Sequence, residues 1–529
     1  MEEQQASKQL QQALWNSADV LRSKMDANEY KSYLLGLVFY KYLSDTLLWK
    51  TVDLLEEHAD NLVAAQRIYE AAFADDENRE VLIEALQADV SYVIQPQLTF
   101  THLVEAVRQG RFQRSDLQQA FRDIEQSSKL FVNLFADVDL DSKKLGATPQ
   151  KQNDTISKVM QEIDTLDISH AGDVLGDAYE YLISQFASDS GKKAGEFYTP
   201  QSVSTLMTRI VLHGREDKKG FSLYDPTMGS GSLLLNAKKY SKEKASLLYF
   251  GQEQNTSTYN LARMNMILHG VANSNQFLSN ADTLDEDWPV DEPTIFDGVM
   301  MNPPYSAKWS AAKVFLEDPR FSPYGVLAPK SKADFAFLLH GYYHLKNDGV
   351  MAIVLPHGVL FRGNAEGKIR QRLLDMGAID TVIGLPPNIF FNTSIPTTVI
   401  LLKKNRTARD VFFIDASKEF TKAKTQNLLE PKHIDKILQT YIDRKDIDKY
   451  AHLATYEEIK ENEYNLNIPR YVDTFEEEEP IDLLALSQEV STLNADIRQT
   501  ESDLLALFDQ LQVTEDTKAI IEAAKAVLR

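Results

Sequence analysis

The chain has 529 residues, of which 43% are hydrophobic and 25% charged, so it has room for several domains and is neither wholly disordered nor fibrous. It contains no cysteine, which excludes disulfides, cysteine–zinc sites and thiol nucleophiles. The 78 acidic and 56 basic residues give a net charge of −22, so binding to nucleic acid would require a local basic surface or a partner that supplies the affinity.

The sequence carries no pattern typical of secretion or membrane insertion. Its first residues, MEEQQASKQLQQ, are polar and acidic, unlike a secretory signal. The longest apolar runs, such as Met351–Leu355, fall far short of the ~20 residues that a membrane span needs. We therefore expect a cytoplasmic protein without a membrane partner.

The first part of the chain, residues 1–165, is predicted to be an all-helical domain. Apolar residues between Tyr30 and Leu48 recur at helical spacing, and we expect this stripe to be core rather than interface. The stretch Val174–Ala187 predicts a further amphipathic helix.

The pattern changes near Phe221, where short apolar runs begin to alternate with helical stretches. This alternation predicts an α/β fold with a parallel-rich sheet, within a domain of residues 166–470. The predicted strands are Phe221–Tyr224, Leu247–Gly251, Phe296–Met301, Val350–Leu355, Thr381–Leu385 and Thr397–Leu402.

The remaining residues, 471–529, predict a helical, coiled-coil-like tail. Apolar residues from Leu483 to Leu511 follow three- and four-residue spacing with one interruption, at Thr500. A seam this narrow faces another helix, and the pattern alone leaves open whether that helix belongs to a partner or to the same chain.

Three consecutive predicted strands end in polar residues that suit a nucleoside ligand. The first runs into a glycine-rich turn, Asp225–Ser232, at the start of a helix. Glu253 ends the second strand, where ribose hydroxyls bind in doubly wound folds. Asp282 ends a further apolar run that precedes Phe296 and counts as the third strand, where it could reach the edge of an adenine ring. Neither GxGxxG nor GxxxxGK[ST] is present, so dinucleotide and ATP phosphate binding are not favoured.

The fourth strand is followed by Asn302, Pro303, Pro304 and Tyr305, a tetrad that suits transfer to a base or amide nitrogen. The lone pair of such a nitrogen is delocalised, and two acceptors at its N–H groups would localise it. The Asn302 side-chain oxygen and the Pro303 carbonyl can act as those acceptors, while Tyr305 offers a flat face for a flipped base. This chemistry requires no metal, and no metal motif is present.

With these motifs the sequence resembles the amino-group DNA methyltransferases, and in particular the modification (M) subunit of type I restriction-modification systems. The resemblance spans nearly the whole chain and implies a Rossmann-like fold that binds S-adenosylmethionine. It also implies methylation at adenine N6 in duplex DNA; the residues alone do not distinguish this from cytosine N4.

The resemblance further assigns roles to individual residues. Asn302, Pro303, Pro304 and Tyr305 match the catalytic motif, and Phe391 is a candidate for the opposite face of the flipped base, with core packing as its alternative, as for Phe390. The implied cofactor-binding residues are Glu196, Phe197, Tyr198, Thr199, Pro200, Gln201, Asp225, Gly229, Ser230, Gly231, Ser232, Glu253 and Asp282.

The partners implied by the family are duplex DNA, a specificity (S) subunit, a second M subunit and an ATP-dependent restriction (R) subunit. We expect the tail, residues 471–529, to contact the specificity subunit and the N-terminal domain to close over DNA or contact the second M subunit. Two alternatives remain open from the residues alone: a protein glutamine N5-methyltransferase, because NPPY also suits an amide nitrogen, and a non-catalytic scaffold.

Overall fold

The computed structural model describes residues 10–528 except 13, 167, 169–172, 190–198, 292, 391–393, 424–425 and 475–481. The chain divides into two compact units, Met1–Asp473 and Thr474–Arg529. The first unit holds a helical part followed by an α/β part, and the second is helical.

The helical part has a continuous hydrophobic core, in which the predicted stripe is confirmed as core. Tyr30, Leu34, Leu37 and their neighbours along the same helix are buried. Several helices begin at a polar cap; Asn61, for example, accepts a hydrogen bond from the amide of Ala64. The helices are α1 (Asp19–Arg22), α2 (Ala27–Leu54), α3 (Leu62–Ala74), α4 (Arg79–Val90), α5 (Phe100–Arg108), α6 (Arg114–Ser127), α7 (Pro149–Asp164) and α8 (Asp173–Asp189).

The α/β part contains a nine-stranded sheet, and the prediction of a parallel-rich α/β fold is confirmed. The strand order is β11-β8-β6-β7-β5-β4-β1-β2-β3, with β7 and β11 antiparallel to their neighbours. The strands are β1 (Ser222–Asp225), β2 (Leu248–Gln252), β3 (Gln276–Ser279), β4 (Phe296–Met301), β5 (Leu345–Pro356), β6 (Ile379–Gly384), β7 (Thr397–Lys403), β8 (Val411–Asp415) and β11 (Ala451–Ala454), and β9 (Thr421–Lys422) pairs with β10 (Asn427–Leu428) in a small separate sheet.

Helices cover both faces of the large sheet and give it two hydrophobic cores. One face packs against α9 (Gln201–Leu212), α12 (Thr256–Leu268) and α15 (Pro431–Asp443). The other packs against α13 (Asp334–Tyr343), α14 (Asn364–Asp375) and α16 (Tyr456–Glu461). The short helices α10 (Ser232–Leu235) and α11 (Ala237–Tyr240) follow β1.

The order of the strands reverses at β1, which fixes the position of a cleft. β1 pairs in parallel with β2 on one side and with β4 on the other. In open α/β sheets, the connections at such a point leave in opposite directions and open a crevice at the carboxyl ends of the strands.

The helical and α/β parts share one core through α12. Leu261, Met264 and Leu268 of this helix belong to the core of the helical part. The buried guanidinium of Arg263 donates hydrogen bonds to the carbonyl oxygens of Val132 (2.9 Å) and Leu130 (2.5 Å). These bonds fix the loop after α6 to the α/β part.

The tail forms two helices, α17 (Leu483–Asp509) and α18 (Glu515–Val527). The apolar seam predicted from Leu483 to Leu511 lies along α17 and just beyond it. Its apolar side chains are 39% to 73% exposed. No helix in the described part of the chain combines the length and apolar character needed to cross a membrane.

Candidate functional site

A cleft opens at the carboxyl ends of β1, β2 and β4, where the strand order reverses. The cleft is open to solvent and has a cavity volume of about 230 Å³. It is lined by Thr199, Asp225, Pro226, Thr227, Met228, Gly229, Ser230, Ser232, Leu233, Gln252, Glu253, Gln254, Ala281, Asp282, Thr283, Asn302, Pro304 and Phe337.

The glycine-rich turn forms one wall of the cleft. Gly231 has φ +78° and begins α10, and a Cβ at this position would lie 3.2 Å from Cε of Met266. A residue with a side chain is therefore disfavoured both by backbone conformation and by packing. The hydroxyls of Ser230 and Ser232 lie 2.9 Å apart in the same wall.

Two carboxylates, Glu253 and Asp225, lie in the cleft beside this turn. Glu253 accepts hydrogen bonds from the amides of Gly229 (3.2 Å) and Asn255 (2.7 Å). Asp225 is buried and accepts a bond from the amide of Thr227 at 2.9 Å. Burial raises the pKa of Asp225 to about 7, although the Thr227 bonds act in the opposite direction. This buried carboxyl has no cationic partner among the described residues, so it suits a cationic ligand.

The polar residues that follow β3 also line the cleft. Asp282 accepts hydrogen bonds from the Gln254 side chain (3.2 Å) and from the amide of Leu284 (3.0 Å). Its neighbour Thr283, which sequence reasoning missed, is buried and donates from its hydroxyl to the carbonyl of Pro226. Thr283 thereby joins the loop after β3 to the glycine-rich turn.

The Asn-Pro-Pro-Tyr corner lies at the end of β4, next to the cleft. The Asn302 side chain is only 6% exposed. Its Oδ1 accepts a hydrogen bond from the Tyr305 hydroxyl at 2.9 Å, and its Nδ2 donates to the Thr199 hydroxyl at 3.2 Å. Burial and then the charge of Asp334 raise the pKa of Tyr305 well above its usual value, so its hydroxyl stays protonated and can donate.

Aromatic side chains surround this corner. Tyr305 and Phe390 meet edge to face, with ring centroids 6.0 Å apart, and Phe390 is buried in the core. Phe337 of α13 lines the cleft. The sequence prediction missed Phe337, although its place one turn into the helix that follows the corner was a usable signal. Phe391 lies outside the described residues.

The predicted segment before the glycine-rich turn reaches the cleft only in part. Thr199 lines the cleft, whereas Pro200 caps α9 and Gln201 donates to the Asn236 side chain at 2.9 Å. Neither Pro200 nor Gln201 lines the cleft, and the same holds for Pro303 and Gly231. The remaining predicted residues, Glu196, Phe197 and Tyr198, lie outside the described residues.

The described residues contain two groups of potential metal ligands outside the cleft: Asp177, Glu180 and His269 form one, and Asp287, His340 and His344 form the other. Both ring nitrogens of His340 are used in hydrogen bonds, to the Tyr224 hydroxyl (2.8 Å) and to the Arg320 guanidinium (3.1 Å). Burial also lowers the pKa of His340 well below its usual value. Because a guanidinium adjoins these ligands, we interpret this second group as a structural network rather than a metal centre.

Two family models match the chain. The N-6 DNA Methylase model matches residues 170–480, and the HsdM N-terminal domain model matches residues 10–163. Together they cover the α/β part with the cleft and almost all of the helical part.

Individual proteins show the same similarity. The chain is 37% identical to the type I restriction enzyme MpnII methylase subunit of Mycoplasma pneumoniae, over 95% of this chain and 98% of that protein. It is 30% identical to the MjaVIII methylase subunit of Methanocaldococcus jannaschii, over 91% and 81%. The crystal structure of the type I restriction-modification system methyltransferase subunit from Streptococcus thermophilus is 71% identical, with a TM-score of 0.87 over 89% of this chain and 100% of that one.

Proposed function

Because the chain belongs to the N-6 DNA methylase family, among the methylase subunits of type I restriction enzymes, we propose that it transfers a methyl group from S-adenosylmethionine to N6 of adenine in duplex DNA. The observation that carries this proposal is the buried Asn-Pro-Pro-Tyr corner beside the cleft. Family membership does not favour the protein glutamine methyltransferase alternative.

Asn302 and Pro303 are the proposed acceptors for the adenine amino group. An exocyclic amine is a poor nucleophile because its lone pair is delocalised into the ring. Hydrogen bonds from its two N–H groups to the Asn302 Oδ1 and the Pro303 carbonyl favour the form in which that lone pair is available. The two prolines hold the backbone at this point and offer no competing N–H groups.

Tyr305 and Phe391 are the proposed stacking residues for the flipped base. A base turned out of the duplex loses its stacking neighbours, and an aromatic face replaces part of that energy. The contact between Tyr305 and buried Phe390 supports the tyrosine ring from the protein side.

The cleft fits S-adenosylmethionine by the chemistry of its donors. Glu253 is placed for ribose hydroxyls, Asp282 for the adenine edge, and Asp225 for a positively charged group, with the turn at Gly229–Ser232 allowing close backbone approach. Thr199 also borders the cleft. When bound, the cofactor supplies an electrophilic methyl group, and the protein orients the amine towards it.

We propose the domain organisation that the sequence predicts. Residues 1–165 form the helical N-terminal domain, residues 166–470 the methyltransferase domain, and residues 471–529 the tail that contacts the specificity subunit. The exposed apolar seam along α17 supports the last assignment. The further proposed partners are duplex DNA, a second M subunit and the ATP-dependent restriction subunit, in the cytoplasm where the DNA substrate lies.

The test uses the complex with the specificity subunit, duplex DNA and cofactor carrying a labelled methyl group. We expect the label on adenine N6, and we expect Asn302→Ala to lower the rate on the order of 10²-fold or more, as for a lost oxyanion donor. Calorimetric binding of S-adenosylmethionine should be unchanged in this variant. Label on protein instead of DNA, or a wild-type rate for Asn302→Ala, would overturn the proposal, and failure to bind the cofactor would support the scaffold alternative.

A further inference from the structure

The segment between the catalytic corner and α13 is basic in an otherwise acidic chain. This segment, Ser306–Lys332, called the basic segment below, contains five cationic and two acidic residues, whereas the whole chain carries −22. It starts directly after Tyr305 and ends two residues before α13, whose Phe337 lines the cleft. Both of its ends therefore lie at the candidate active site.

Four lysines of the basic segment have no ion-pair partner among the described residues. Lys308, Lys313 and Lys330 are exposed, and Lys332 is half-buried. No carboxylate among the residues that the structure describes forms an ion pair with any of the four. The one arginine of the segment behaves differently: Arg320 is buried and paired with Asp318 at 2.7 Å.

The backbone brings three of these lysines together. The amide of Trp309 donates to the carbonyl of Lys330 at 3.1 Å, and the amide of Ala333 donates to the carbonyl of Ala307 at 2.9 Å. These two bonds pair the start of the basic segment with its end, so Lys308 lies opposite Lys330 and Lys332. Like charges held side by side repel one another, and an anionic ligand relieves that repulsion.

The basic segment is also rigid and tied to the cleft. The rings of Trp309, Phe315 and Phe321 pack together with centroids 5.4 to 5.9 Å apart. Arg320 donates to the carbonyl of Thr283 at 2.9 Å, and Thr283 lines the cleft. A charged surface on such a frame holds a fixed position relative to the catalytic corner.

We propose that Lys308, Lys330 and Lys332 bind the phosphates of the DNA strand next to the flipped adenine. This inference rests on the proposed function. It identifies the local basic surface that a chain of charge −22 needs in order to hold a polyanion. We favour DNA over an acidic protein surface because the lysines flank Tyr305, where the base is proposed to stack.

The test measures duplex binding by the complex with the specificity subunit as a function of salt concentration. Lys308→Ala, Lys330→Ala and Lys332→Ala should each reduce the slope of log K against log salt by about 0.9, which corresponds to roughly fivefold weaker binding near 150 mM salt. Lys219→Ala is the matched control, because Lys219 is exposed and precedes β1 at the opposite edge of the sheet.

The outcomes separate this inference from the proposed function. The lysine site is supported if the three lysine variants show reduced salt slopes and unchanged cofactor affinity, while Lys219→Ala keeps the wild-type slope. If the variant with all three lysines replaced by alanine keeps the wild-type salt slope, the inference is overturned. If it keeps that slope but associates more weakly with the specificity subunit, the lysines belong to an interface with a protein partner, which also overturns the inference. If the wild-type complex binds duplex DNA but transfers no methyl group, only the proposed function is contradicted. The comparison of lysine variants measures DNA binding and does not depend on methyl transfer.

Discussion

The Tyr305 hydroxyl donates a hydrogen bond to Asn302 Oδ1 over 2.9 Å. That oxygen is the acceptor proposed for the adenine amino group, so in this structure a protein donor holds the position that the substrate is proposed to take. Binding of the flipped base would exchange one hydrogen bond for another. The buried Asn302 amide keeps a partner before and after the exchange, which avoids the cost of an unsatisfied buried acceptor.

Tyr305 variants should separate stacking from this hydrogen bond. Tyr305→Phe keeps the aromatic face and removes the competing donor, so we expect the KM for DNA to stay the same or fall and the methylation rate to be retained. Tyr305→Ala removes the face, and loss of base stacking should raise the KM on the order of tenfold. Steady-state methylation kinetics distinguish stacking from hydrogen bonding. If Tyr305→Phe and Tyr305→Ala raise the KM by the same factor, the main role belongs to the hydroxyl.

Thr199 is expected to act as a positioning residue. The Tyr305 phenol is a better donor than the Thr199 hydroxyl, and the Thr199 hydroxyl is the better acceptor. The hydrogen bond from Asn302 Nδ2 to Thr199 therefore keeps Asn302 Oδ1 turned towards the base. Thr199→Val should lower kcat on the order of tenfold, the value of one neutral hydrogen bond, and should affect kcat more than cofactor affinity. Thr199→Ser should restore the rate. Weaker cofactor binding at unchanged kcat would instead support a direct cofactor contact.

Cofactor binding should depend on the ionisation of Asp225. Burial raises the pKa of this carboxyl to about 7, and a cationic ligand favours its charged form. Affinity for S-adenosylmethionine should therefore increase about tenfold between pH 6 and pH 8 and then level off. Calorimetry across this range measures the effect, and Asp225→Asn should remove the dependence. A pH profile identical in the variant would contradict the assignment.

Asp297, at the amino end of the same sheet, should contribute to stability. Burial alone would raise its pKa, but hydrogen bonds from Lys218, Ser222 and Lys346 outweigh burial and lower the pKa to about 2. Because this value lies below that of the unfolded chain, the contribution is present above about pH 4 and is lost as the pH falls towards 2. It amounts to about 2 kcal/mol.

Asp297→Asn should accordingly lower the free energy of unfolding at pH 7 by about 2 kcal/mol, and the difference should shrink in acid. Denaturation of both proteins at several pH values measures this. Asp217→Asn, at an exposed position in the preceding loop, serves as the control. A destabilisation that stays constant down to pH 2 would indicate a packing effect rather than charge.

The seam on α17 should be needed for assembly. Ile497→Asp places a charge in the exposed apolar seam, where burial against a partner would carry a desolvation cost. We expect at least tenfold weaker association with the specificity subunit and unchanged cofactor binding, measured by co-purification and calorimetry. Ser491→Asp adds the same charge beside the seam and should have little effect. Normal assembly of the Ile497 variant would rule out this surface.

The sequence predicted the parts of the site that depend on strand order. Asp225, Glu253, Asp282 and Asn302 follow four strands, and parallel strands that flank a reversal bring their carboxyl ends to one crevice. Local pattern was therefore enough to place all four residues on one cleft, which they line.

Contacts that depend on tertiary packing could not be predicted in this way. Thr199 and Asn302 lie 103 positions apart, and no local pattern indicates that their side chains bond. The link between Thr283 and Pro226 is similar. The sequence also could not predict whether the seam near Ile497 is exposed, because heptad spacing describes one helix and does not identify the helix that packs against it.

Arg263 limits how the helical and α/β parts can move relative to each other. Its guanidinium fastens the loop at Leu130 and Val132 to α12, and α12 itself contributes side chains to the core of the helical domain. A hinge between the two would have to open that shared interior to water. If the N-terminal domain closes over DNA, as the sequence leads us to expect, the helical and α/β parts would therefore have to move together.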